Sequence, residues 1–207
     1  PLRDAFRSLK AGFHTGVLLQ KDNNNIYIAD GQAAQLEYPL SEKNVLHAVN
    51  VMNRIREKYL QDSKVFLSVI PDKGYFLAQP NGYPAMDYRE LMQKVSAGLP
   101  WATKIELYDC LTGADYYCTD THWRQERLVN AAQQLCKAMD TPIPAPDDYT
   151  PVPLKTPFYG VYYGQAAVSL EPDTMHILKS DVLDGCVTSV GTLDMQTGEA
   201  VYEKLYD

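Results

Sequence analysis

Asp120 and His122 stand two residues apart in Tyr116-Tyr117-Cys118-Thr119-Asp120-Thr121-His122-Trp123, after a segment that reads as strand and loop and directly before one that reads as helix. Imidazole is the side chain that takes up and releases a proton near neutral pH. A carboxylate that holds one ring nitrogen leaves the other as the base, which is the division of labour a Ser-His-Asp triad requires. The edge at which strands hand over to helices is also where open α/β sheets place their ligands. The bare D-x-H spacing has a plainer explanation too. Asp120 or Thr121 caps the following helix while His122 and Trp123 pack.

Other reactive side chains are sparse. His14 closes the first helix, His47 lies one residue off the apolar face of the second, and His176 sits in a β-like tail. None has a carboxylate or nucleophile beside it in sequence, so each reads as structural. Lys73 follows a strand and either faces a site, where it would bind an anionic glycan, or is a solvated turn lysine. Arg124 opens a helix, where the macrodipole disfavours a cation, and that hints at a partner. Trp123 reads as packing under His122, with sugar stacking as the lesser use.

A nucleophile is harder to find. Ser189 lies in Cys-Val-Thr-Ser-Val-Gly rather than G-x-S-x-G, Ser180-Asp181 lacks the glycines of a sharp turn, and Ser68 is mid-strand. Cys110, Cys118, Cys136 and Cys186 form no CxxC and have no histidine at zinc-ligand spacing, so no metal site is expected. Cys136 falls on an apolar helix face. Cys110 and Cys118 bracket a loop and would pair only in an oxidising compartment.

The elements that must position Asp120 and His122 follow from periodicity. Leu2, Phe6, Leu9 and Phe13 mark an opening amphipathic helix. Asp22–Asn25 is a turn run before a strand at Ile26–Ile28, which ends at Asp30-Gly31. Ser41 caps a helix whose Val45, Val49, Met52, Ile55 and Tyr59 share a face. Lys64–Ile70 is nearly all apolar, as a strand covered on both faces would be. Asp87-Tyr-Arg-Glu90 is a capping box opening a third helix through Val95. Ile105–Tyr108 reads as a strand, and a fourth helix starts near Arg124 and buries Leu128, Val129, Ala132, Leu135, Cys136 and Met139.

Strand and helix alternate from 26 to 139, which predicts an α/β layer over residues 1–140: a parallel sheet with helices on both faces. Six prolines between Thr141 and Pro157 then break the pattern. Short β-like pieces follow at Tyr159–Tyr163, Ala167–Leu170, Met175–Leu178 and Val187–Val190. A hairpin closes the chain, Leu193–Gln196 turning at Thr197-Gly198 into Ala200–Leu205. Residues 141–207 therefore read as a Pro-rich connection and antiparallel β extension packed on the same domain.

The 207 residues carry 19 Lys+Arg against 26 Asp+Glu, for a net charge of −7, which argues against a nucleic-acid partner. The imbalance is local. Residues 1–100 hold 12 basic and 10 acidic side chains, and residues 101–207 hold 7 and 16. No apolar run approaches the roughly 18–20 residues of a membrane span. The chain opens on Pro1 within a helix-like segment and reads as a piece of a longer protein, so the lack of a leader says little about the parent.

Thr119-Asp120-Thr121-His122-Trp123 resembles the T-D-x-H-W signature of the DHHW family of bacterial surface proteins and is similar to the catalytic domain of alginate O-acetyltransferases, an SGNH-hydrolase-like fold. Arg3–Lys10 resembles the family's opening helix, Asn24–Ile28 its first hairpin, and Ser68–Lys73 its strand ending in a P-x-K turn. Phe158-Tyr159-Gly160 and Pro172-Asp173-Thr174 resemble pieces that follow the D-x-H-W helix. Thr121 stands where the second position of the DHHW motif has His, as in the acetyltransferase-like members.

The resemblance implies a flavodoxin-like sheet, here incomplete. It makes Asp120 the orienting carboxylate and His122 the general base, with the serine in a downstream D-S-[YF]-G-type turn that this sequence lacks. It implies an extracytoplasmic, cell-envelope protein with a glycan or acyl-ester substrate and no metal or organic cofactor, and leaves open whether the parent is membrane-anchored. A non-catalytic cell-surface or polysaccharide-interaction domain of the same fold is the alternative. An incomplete sheet would leave an unpaired edge through which two copies could form a homodimer.

Overall fold

The computed structural model describes residues 2–143, 145–186 and 188–206. Among them run seven α-helices and nine strands, and the strands are divided over four small sheets. Helix α1 (Leu2–Gly12) passes into a π-turn at Phe13–Val17, with His14 just beyond the α-helix. Its periodic residues Leu2, Phe6 and Leu9 are exposed.

Strands β1 (Asp22–Asn23), β2 (Ile26–Ala29) and β3 (Gln32–Gln35) form an antiparallel sheet. Asn24 and Asn25 make its first turn and Asp30-Gly31 its second, all four with positive φ. Such two-residue turns return the chain beside its previous strand. For that reason the Ile26–Ile28 stretch joins this sheet and not a parallel one, which corrects the expectation from strand-helix alternation.

The parallel pairing is confined to β4 (Phe66–Leu67) and β5 (Thr103–Lys104), extended by the Ile105 N–H donating to Leu67 O at 2.9 Å. The apolar Lys64–Ile70 run is thus mostly non-strand. The strand expected at Ile105–Tyr108 is likewise displaced: the pairing strand is Thr103–Lys104, and Tyr108–Cys110 is a 3-10 turn. Helices α2 (Glu42–Tyr59) and α4 (Tyr88–Gly98) flank the pair, capped by Ser41 and Asp87 as the sequence predicts. They approach closely where Gly98 meets Val49; an added Cβ at Gly98 would lie 2.5 Å from Val49 Cγ1. Between them comes the short α3 (Lys73–Leu77), capped by Asp72.

Helix α5 (Val129–Met139) begins later than the expected Arg124, because Gln125–Arg127 forms a 3-10 turn first. Ala131 and Leu135 pack it on Ile105, Leu107 and Leu111.

Beyond the prolines, β6 (Thr150–Phe158) and β7 (Asp173–Lys179) form a two-stranded antiparallel ribbon. Pro151, Pro153 and Pro157 fit there because a two-stranded ribbon leaves an edge that needs no donor, and the register shifts between Pro153 and Pro157. Tyr159–Tyr163 and Ala167–Leu170 are not strands. Val161–Ala166 is helix α6, and its Tyr162 and Ala166, one turn apart, bury against Ile26 and Ala33. Asn23 Nδ2 donates to Ala166 O at 2.7 Å, tying the helix end to the first sheet. A short helix α7 (Asp181–Asp184) leads to the hairpin β8 (Thr188–Leu193) and β9 (Ala200–Tyr206), turned at Gly198 with φ +74°. Val187, the expected start of that strand, lies outside the described residues.

Candidate active site

Tyr116 and Trp123 bridge antiparallel, and the Tyr117 N–H donates to His122 O at 3.1 Å. The segment between them is a tight loop with Cys118–Thr121 at its tip. This loop stands beside the chain leaving β4. The Tyr116 hydroxyl donates to Pro71 O, and Lys73 Nζ donates to Tyr117 O at 2.8 Å and Cys118 O at 3.2 Å. From the first sheet, the Ala33 N–H reaches Cys118 O at 2.8 Å.

The loop brings Asp120 and His122 together. Asp120 Oδ1 lies 2.5 Å from His122 Nδ1 and also accepts the His122 backbone N–H at 2.9 Å. Asp120 Oδ2 accepts the Val161 N–H of α6 at 2.8 Å. Burial alone would raise the Asp120 carboxyl, but the hydrogen bonds from Val161 and His122 outweigh it and hold the group below its ordinary range. An ionised carboxylate only accepts, so in the neutral imidazole the ring proton belongs on Nδ1 and Nε2 carries the lone pair. The carboxylate side chain is 4% exposed and the imidazole 75%. A buried orienting group thus holds an accessible base.

Lys73, Trp123 and Arg124 find their partners within the fold. Lys73 is 3% exposed, which overturns the solvated-turn reading and leaves its ammonium occupied by the loop carbonyls. Burial pulls it down to about 8, against the opposing pull of Cys118, Asp173 and Asp120. Its role in this geometry is to hold the loop, and it is not positioned to meet a glycan in solvent. Trp123 packs half-buried on the Ile105–Leu107 cluster. Arg124 finds its partner inside the chain, donating from Nε to Glu126 Oε1 at 2.8 Å. His176 is not isolated, since its Nδ1 lies 3.2 Å from the same carboxylate oxygen. His47 is exposed on α2. All four cysteines are free thiols, so Cys110 and Cys118 do not pair. Among the described residues no cluster of three or more His, Cys, Asp or Glu could hold a metal.

Two positions carry more of the site than their sequence context announces. Asp173 accepts the Cys118 and Thr119 N–H groups and the Thr119 hydroxyl. Gly160 lies against Asp120 so tightly that an added Cβ would come 2.3 Å from Asp120 Cβ. Both fall in segments noted for a family resemblance, Phe158–Gly160 and Pro172–Thr174, yet neither motif discloses a contact across so many residues.

No protein-family model matches the sequence, and no curated protein matches it. Two solved structures do share its fold. One is a DHHW family protein from Eubacterium siraeum, with TM-score 0.66 and 20% identity over 87% of this chain and 61% of that one. The chain has the fold of a DHHW protein. The second is Bacillus cereus PatB1 with a sulfonyl adduct, with TM-score 0.60 and 16% identity over 86% of this chain and 62% of that one. The chain spans about three-fifths of the length of the solved chains it matches. No helix among the described residues is long and apolar enough to cross a membrane.

Proposed function

We propose that this chain supplies the Asp-His half of a Ser-His-Asp acyl-transfer site, in an SGNH-hydrolase-like domain that transfers or hydrolyses acyl esters of cell-envelope glycans. The observation that carries the reading is the buried Asp120 carboxylate 2.5 Å from the Nδ1 of an exposed His122. Nε2 takes the proton of an attacking hydroxyl as its oxygen bonds to the acyl carbon. Collapse of the tetrahedral adduct breaks the ester C–O bond, and the proton passes from Nε2 to the leaving oxygen. An acceptor hydroxyl, or water, then takes the acyl group by the same steps.

The chemistry needs neither a metal nor an organic cofactor. Residues 1–207 hold no D-S-[YF]-G-type turn, so the reading draws the nucleophile from another part of the parent protein. The shared fold with a DHHW family protein supports it. The sulfonyl adduct on PatB1 is in keeping with it, because sulfonylating reagents react with activated nucleophiles. The envelope location and the glycan acceptor follow from the same reading.

Turnover of a simple acetyl ester by the parent protein tests it. Asp120→Asn should lower kcat by about 10³–10⁴-fold, since the amide would favour the wrong imidazole tautomer. His122→Ala should lower it at least as far. Unchanged turnover in both variants would take the pair out of the chemistry, and a parent protein with no turnover at all would favour a non-catalytic cell-surface or polysaccharide-interaction domain of the same fold.

A further inference from the structure

The Asp120 carboxylate is held by groups that are themselves held from farther away. Its Oδ2 takes the Val161 N–H at 2.8 Å. The preceding N–H, that of Gly160, donates to Thr119 Oγ1 at 2.9 Å. Thr119 is fully buried, so its hydroxyl proton must go to a protein acceptor, and it is donated to Asp173 Oδ2 at 2.6 Å. The same carboxylate accepts the Cys118 and Thr119 N–H groups, each at 2.7 Å. Asp173 opens β7, in the ribbon that the sequence presents as a mere extension.

We propose that Asp173 is a positioning residue for the Asp120–His122 pair, acting through the Thr119 hydroxyl and the Gly160–Val161 segment to fix the Asp120 carboxylate. A carboxylate has no proton to donate, so it dictates which way the Thr119 O–H points. With that proton committed to Asp173, the Thr119 lone pairs face the Gly160 N–H, and the next N–H is aimed at Asp120. Charge-assisted bonds of this kind are about twice as strong as neutral ones. Lys73 completes the grip from the opposite side. It donates to Cys118 O while Asp173 accepts Cys118 N–H, so one residue's peptide groups are clamped between opposite charges from two separate elements. The ribbon is in this sense part of the site.

The role in turnover rests on the acyl-transfer reading above, but the positioning does not, and the test is chosen to separate them. Carbon-13 NMR of the Asp120 side-chain carboxyl follows its titration in this chain without substrate. Wild type should titrate below the ordinary carboxylate range, and Thr119→Ser, which keeps the hydroxyl, should do the same. Asp173→Asn and Thr119→Val should move the Asp120 titration up toward the ordinary range. Thr119→Val preserves the buried shape, so it decides the matter if Asp173→Asn does not fold. An Asp120 titration in Thr119→Val that matches wild type overturns the relay. A parent protein inactive on esters, with these shifts present, would contradict the acyl-transfer reading and leave the relay intact.

Discussion

Gly160 and Asp120 are packed so closely that the smallest side chain does not fit between them. A Cβ on Gly160 would lie 2.3 Å from Asp120 Cβ, 2.5 Å from Thr119 O and 2.6 Å from Asp120 Oδ2. Gly160 has φ −75° and ψ 179°, a conformation open to any residue, so the requirement for glycine here is steric and owes nothing to backbone freedom. The missing methyl is what lets the Val161 N–H reach the carboxylate.

Gly160→Ala should therefore cost about 1–3 kcal/mol of stability, the usual range for overpacking a well-filled site. It should also displace Asp120 from the imidazole. Chemical denaturation gives the first quantity, and the His122 Nδ1 proton resonance reports the second. A variant as stable as wild type, with that resonance unmoved, would mean that the backbone yields freely at this point.

The Asp120 carboxyl sits below its ordinary range in the fold. Its contribution to stability is present above the unfolded-state carboxylate pKa and is lost as pH falls through the lower folded-state value. The stability difference between wild type and Asp120→Asn should thus shrink on acidification below about pH 4. A difference that stays flat from pH 7 to pH 2 would show that the hydrogen bonds to Val161 and His122 add nothing to the ionised form.

Lys73 behaves in the opposite sense from a surface lysine. Burial lowers it to about 8, so between that pH and the ordinary lysine range the unfolded chain holds a proton that the folded chain has released. Stability then rises with pH relative to a variant without the amine. Lys73→Met should be destabilised near neutral pH, through two lost hydrogen bonds to the loop, and the gap to wild type should widen between about pH 8 and pH 10. Urea midpoints across that range measure it; a gap that narrows would contradict the buried-ammonium assignment.

How much of this was legible in the sequence depended on how far each contact reaches. The Asp120–His122 pairing spans two residues inside one loop, so the D-x-H spacing carries nearly all of its geometry. The caps at Ser41 and Asp87 are equally local and stand where the sequence places them. Asp173 and Gly160 act across dozens of residues, and nothing at their own positions says what they will touch. Helix α6 was hidden for another reason. Tyr159, Val161, Tyr162 and Tyr163 have the composition of a strand, while the burial of Tyr162 and Ala166 follows a helical turn. The parallel sheet is smaller than strand-helix alternation predicts, because an apolar run such as Lys64–Ile70 shows burial without showing which stretch pairs.

The strands β4 and β5 pair only with each other among the described residues, so each presents an outer edge without a strand partner. Unpaired edges invite pairing between chains. Size-exclusion chromatography of residues 1–207 should show a dimer whose population rises with concentration. A monomer at all concentrations would remove the edge as a partner surface.

His122, held by Asp120, is proposed to activate a nucleophile supplied by the parent protein. Treating the parent with a sulfonyl fluoride and locating the adduct by mass spectrometry tests this most directly. One sulfonyl group should be found per chain in wild type, on a residue outside 1–207, and it should be absent in His122→Ala. An adduct that forms equally well in His122→Ala, or one seated on Ser189 within this chain, would contradict the account.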